Sequence, residues 1–156
     1  MESRTKHTYQ SHLHDFIKDV LVECPTCGQK ALVNTNGETL FKADKSKIRV
    51  VCGNCGYNKE LEKLWIKSKQ FVLGEPFDPF FHHPLWLQIE VGGHLLWAYS
   101  YEHLRFLEEH IAAKLRERNG FQFQTRSIGA RLPRWMTAAN RRDEMLKAIE
   151  KLRAKT

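Results

Sequence analysis

The chain has 156 residues, enough for one or two small domains. Apolar residues make up 42% and charged residues 28%, a globular rather than a disordered composition. No apolar run reaches the ~18–20 residues of a membrane span. The first twenty residues carry Arg4, Lys6, Asp15, Lys18 and Asp19 where a secretory signal would have an apolar core, so the expectation is a cytoplasmic protein with no membrane partner.

The formal net charge is +7, and its distribution is uneven. Residues 1–60 carry +2, while residues 121–156 carry nine Lys/Arg against three Asp/Glu, a net of +6. Between Glu117 and Asp143 there is no acid, yet Arg118, Arg126, Arg131, Arg134, Arg141 and Arg142 all fall there. A one-signed basic stretch attracts polyanions, most commonly nucleic acid, so these six arginines are the candidate nucleic-acid contacts. The plainer alternative is a solvated face, or arginines that pair with acids elsewhere on the fold.

In chain order, residues 1–19 read as a lead-in, with His12–Val20 forming one short helix or a strand. His12 and His14 read as ordinary polar surface. The chain's four cysteines follow as two pairs, Cys24-Pro25-Thr26-Cys27-Gly28 and Cys52-Gly53-Asn54-Cys55-Gly56. A two-residue gap lets both sulfurs of a pair reach one ion from a single tight turn, and glycine after the second cysteine permits positive φ. Two such turns face to face supply four sulfurs in tetrahedral array, which suits one structural Zn²⁺ at about 2.3 Å per bond. Iron also accepts four thiolates, and spacing does not separate the two. Two disulfides would require an oxidising compartment. With four protein ligands no position remains for water or substrate, which argues against catalytic zinc.

The 24 residues from Gly28 to Val51 allow a strand out and a strand back. Val20-Leu21-Val22 leads into the first pair and Lys47-Ile48-Arg49-Val50-Val51 into the second. Asn36-Gly37 reads as a turn and Thr39-Leu40-Phe41 as a further short strand. Residues 20–62 so read resemble zinc ribbons of the transcription factor IIB type. The resemblance implies a small rigid module held by zinc that contacts nucleic acid or protein, and no particular activity.

Residues 63–156 read as a second α+β unit. Ten of the chain's seventeen aromatics lie between Trp65 and Phe106, the expected source of its core, with a base-stacking platform as the alternative. Leu85–Val91 and His94–Tyr99 flank Gly92-Gly93 and predict a hairpin, with a kinked helix as the alternative. His82, His83, His94 and His103 match no catalytic or metal spacing and read as polar residues packed around a loop. Tyr101–Arg118 is the clearest helix: Leu104, Leu107, Ile111 and Leu115 line one face and Ser100 caps it, leaving His103 and His110 on a solvated face. Leu132–Met136 opens a second helical region with Pro133 in its first turn. Met145, Leu146, Ile149 and Leu152 form the apolar face of the last helix.

The pattern of the ribbon followed by Phe77-Asp78-Pro79, Pro84-Leu85-Trp86-Leu87, Leu96-Trp97 and Leu132-Pro133-Arg134-Trp135-Met136 is similar to bacterial zinc-ribbon-containing proteins. The expected architecture is therefore α+β: an N-terminal zinc ribbon, then an aromatic-cored hairpin with two or three helices. The expected function is non-enzymatic, a nucleic-acid-binding accessory factor in transcription, replication or RNA processes. A protein-interaction adaptor or regulatory subunit is the alternative. No acid–base pair, phosphate loop or small-molecule signature is visible.

Overall fold

The computed structural model describes residues 13–39, 42–61, 75–112, 134–137 and 139–155. Within them the chain is α+β, with two antiparallel sheets and helices packed against the second. The first sheet has four strands in sequence order: β1 (Val20–Glu23), β2 (Lys30–Asn34), β3 (Arg49–Val51) and β4 (Asn58–Glu60). The second is a hairpin of β5 (Leu87–Val91) and β6 (His94–Ala98). Three helices follow: α1 (Tyr101–Ala112), the single turn α2 (Arg134–Thr137), and α3 (Arg142–Arg153). Among the described residues no helix is long and apolar enough to cross a membrane.

Alternation decides which face of the first sheet is buried. Val20, Val22, Ala31, Val33 and Val50 point inward, while Leu21, Leu32 and Arg49 on the opposite face are half-buried. β4 lacks this pattern, for all three of its residues are exposed. It exists because β3 offers an edge, with Arg49 opposite Glu60 and Val51 opposite Asn58. Asp19 and Thr35 close the far end of the β1–β2 pair. The Thr35 N–H donates to Asp19 Oδ1 at 2.9 Å, and the Asp19 N–H donates to Thr35 Oγ1 at 3.0 Å.

The boundary at 62/63 falls in a stretch outside the described residues, but the chain beyond it returns to the first sheet. The Trp86 N–H donates to the Leu21 carbonyl at 3.1 Å, and the Leu21 N–H donates to the Tyr99 carbonyl at 2.9 Å. Val22 and Leu85 form an isolated antiparallel bridge. The free edge of β1 is thereby bonded to residues 84–86 and 99, and one buried cluster runs through both sheets.

The loop before that junction is built on Asp78. Its carboxylate is fully buried and accepts the N–H groups of Phe80 (2.9 Å), Phe81 (2.6 Å) and His83 (2.7 Å). Burial raises its pKa above the ordinary carboxylate value, while the N–H groups of Phe81, His83 and Phe80 pull the other way. The loop exit is then braced, with Phe77 bridged to Pro84.

Helices α1 and α3 pack on each other and cover the hairpin. Ser100 caps α1, its Oγ accepting from the His103 N–H at 3.2 Å. Met145, Ile149 and Leu152 of α3 are buried, Leu146 half-buried. The core so formed is mainly aliphatic rather than an aromatic cluster. The helix faces supply Leu104, Leu107, Ile111 and Ile149, and the hairpin adds Leu87 and Leu96. Trp86 and Tyr99 are buried and Trp97 is half-buried at the rim. Trp65, Phe71, Leu40 and Phe41 lie outside the described residues.

His103 and His110 depart from the expected solvated face: both are 2% exposed. They lie among Leu104, Phe106, Leu107 and Ile111, so the buried arc of α1 is wider than its leucines alone suggest. His103 stacks on Phe16 (4.9 Å between ring centres) and on Tyr99 (5.5 Å), and its Nδ1 accepts the Tyr99 N–H at 3.0 Å. That bond requires an unprotonated Nδ1, and burial lowers the pKa to about 3.

Candidate metal centre

Cys24 and Cys27 lie in the turn between β1 and β2, Cys52 and Cys55 in the turn between β3 and β4. The two turns repeat one hydrogen-bond pattern. The Cys24 N–H donates to the Gln29 carbonyl (2.7 Å) and the Gly28 N–H to the Cys24 carbonyl (2.9 Å). In the second turn the Cys52 N–H donates to the Tyr57 carbonyl (2.8 Å) and the Gly56 N–H to the Cys52 carbonyl (3.0 Å). Each turn closes through a glycine at positive φ, +75° at Gly28 and +83° at Gly56. That conformation strains any residue with a Cβ, which is why CxxC is followed by glycine in both places.

Pairing of the strands brings the turns together. The four Sγ atoms all lie within 4.8 Å of one another, with Cys24 and Cys55 at 3.6 Å and Cys27 and Cys52 at 3.6 Å. None of the four is in a disulfide. Tetrahedral coordination at about 2.3 Å per bond places sulfurs ~3.8 Å apart, so the donor set fits one four-coordinate ion. Cys24 and Cys52 are buried, Cys27 is half-buried and Cys55 is exposed, which puts the group at one end of the sheet with one side toward solvent.

Neutral donors surround the sulfurs. The Asn54 side-chain amide donates to Cys27 Sγ at 3.5 Å and the Thr26 N–H to Cys24 Sγ at 3.4 Å. The Asn54 amide, followed by the Gln29 N–H, lowers the Cys27 pKa to about 6. Cys55 moves the other way, to about 12: the Tyr57 N–H lowers it, but desolvation and the three neighbouring sulfurs outweigh that donor. Asn54 is the one site residue that spacing did not single out. Its signal was an amide side chain between two cysteines, placed to face the opposite pair.

The six candidate arginines do not form one described surface. Arg118, Arg126 and Arg131 lie outside the described residues. Arg134 lies in α2. Arg141 and Arg142 are half-buried, and each has a partner among the described residues. Arg141 Nη1 pairs with Glu144 at 3.2 Å and lies against Gly92, where an added Cβ would collide with the guanidinium. Arg142 Nε donates to the Ile111 carbonyl at 3.0 Å. The histidines are likewise not gathered at one place. The rings of His83 and Phe81 stack (5.9 Å), as do those of His94 and Trp135 (4.5 Å).

No family model, curated protein or solved structure matches the chain.

Proposed function

We propose that the chain is a zinc-ribbon protein that works by binding, with one structural Zn²⁺ held by Cys24, Cys27, Cys52 and Cys55. The observation that carries this reading is the convergence of four sulfurs from two matching turns. All four ligands come from protein, so the ion has no open position for water or substrate, which supports a non-enzymatic role. The zinc fixes the ends of β1–β4, and the sheet in turn bonds to residues 84–86 and 99.

For the partner, the charge division supports nucleic acid, engaged by the arginines of 118–142. Arg142 is bonded to the Ile111 carbonyl and Arg141 lies against Gly92 beside exposed Glu144, so the contact is placed on Arg118, Arg126, Arg131 and Arg134. Binding through phosphates weakens with salt at a log–log slope near −0.9 per contact on duplex DNA and about −0.7 on single strands. Retention of the full chain on DNA and RNA across a salt series tests this. Replacing those four arginines with Gln flattens the slope if the reading holds. An adaptor that docks protein is the second reading, favoured by the use of Arg141 and Arg142 as structural ties. Failure of the wild-type chain to bind either nucleic acid at low salt selects it.

A further inference from the structure

Away from the cysteines, a groove of about 300 Å³ runs between one flank of α3 and the edge of β5 that pairs with no strand among the described residues. Its strand wall is Ile89, Glu90, Val91 and Gly92, and its helix wall is Glu144, Lys147, Ala148 and Lys151, with Glu144 paired to Arg141 at 3.2 Å. The volume is at the low end of the ~300–1,000 Å³ of ligand sites. Ala148 presents only a methyl group beside half-buried Ile89, so the floor is apolar.

Among the described residues β5 has one strand neighbour, β6. Val91 and His94 flank the two-residue turn and form its closing hydrogen-bonded pair, so the alternation of an antiparallel ladder makes Glu90 and Leu95 a non-bonded pair. The Glu90 N–H and carbonyl therefore point away from β6, toward the groove side. Neither has a partner among the described residues, and Glu90 is exposed. Across the groove, Lys147 and Lys151 are exposed and carry no ion pair among the described residues. The groove thus offers a strand-pairing edge, an apolar floor and two lysines one helical turn apart, beside a Glu144 already paired with Arg141.

We propose that this groove binds an extended segment of a partner protein, which adds as a third strand beside β5. In that segment an aliphatic side chain enters over Ile89 and Ala148, and an acidic side chain two residues away meets Lys147 and Lys151. The spacing follows from strand alternation, which puts residues i and i+2 on one face. A second copy of this chain is the less suitable occupant, since symmetric pairing of two β5 edges centred on residue 90 would set Glu90 against Glu90 and would bring no acid to Lys147 and Lys151. The site uses none of the cysteines and none of the four arginines on which the nucleic-acid contact is placed, and so goes beyond the function proposed above.

The test is a titration of the full, zinc-loaded chain into a fluorescein-labelled peptide, acetyl-TVTETVTE-amide, read by anisotropy. Two variants address different walls. Glu90→Pro removes the outward N–H while leaving the pairing with β6 intact, a placement edge strands tolerate. Lys147→Glu with Lys151→Glu reverses the helix wall on exposed positions. Saturable binding that weakens at least tenfold in each variant supports the proposal. The same peptide methylated on alternate backbone nitrogens should bind at least tenfold more weakly to the unaltered protein. Absence of binding up to millimolar peptide, or binding indifferent to both variants, overturns it. So does a concentration-dependent dimer that Glu90→Pro abolishes, which would make a second copy the occupant.

Discussion

Arg142 donates from Nε to the Ile111 carbonyl at 3.0 Å, tying the first turn of α3 to the last turn of α1. The guanidinium thus supplies a charged donor to a backbone carbonyl of the neighbouring helix. A charged donor of this kind contributes ~1.5–3 kcal/mol. Arg142→Gln is therefore expected to lower stability by about that amount in urea unfolding, and to leave the salt slope of nucleic-acid binding unchanged. A flatter slope with unaltered stability would return Arg142 to the nucleic-acid contacts.

Acid sensitivity follows from His103. Its pKa is about 3 in the folded chain because of burial, against an ordinary value of 6.5. Between those values the unfolded chain takes up a proton that the folded chain refuses. The stability contributed by neutral His103 is fully present above about pH 6.5 and is lost as pH falls toward 3, at about 1.4 kcal/mol per unit. His103→Gln should flatten the pH dependence across this window relative to wild type. Equal slopes in the two proteins would mean that His103 is not the proton acceptor.

The Asp78 loop gives a mutational prediction. Asp78→Ala leaves three N–H groups without their acceptor, at ~1–3 kcal/mol for each one that stays buried. The loop feeds residues 84–86 into the edge of β1, so the loss should reach the first sheet. Hydrogen exchange is expected to accelerate at Leu21 and Trp86 together. Acceleration at Trp86 with Leu21 unaffected would show that the two sheets open independently.

Features with local causes were the legible ones. The CxxCG turns reflect ligand spacing and a φ requirement, the β5–β6 hairpin reflects Gly92-Gly93, and α1 and α3 reflect leucine and isoleucine spacing. β4 was invisible because Asn58, Lys59 and Glu60 have no apolar alternation and pair only because β3 leaves an edge. The bond from Trp86 to Leu21 joins residues far apart in the chain, and no local pattern encodes it. His103 and His110 were assigned to solvent by residue type, although their spacing from Leu107 and Ile111 put them on the buried arc. The tie from Arg142 to Ile111 spans 31 residues and exists only once the helices pack, whereas the Arg141–Glu144 pair is a local i,i+3 contact.

The metal content of the purified, reduced chain tests the zinc ribbon most directly. Native mass spectrometry should find one zinc per chain, and Cys24→Ser with Cys52→Ser should lose it. Structural zinc contributes ~10–16 kcal/mol of apparent binding free energy in small peptides, so the double variant should also expose residues 20–61 to proteolysis. A folded, fully reduced wild-type chain without bound metal would contradict the account, as would a double variant that retains its zinc.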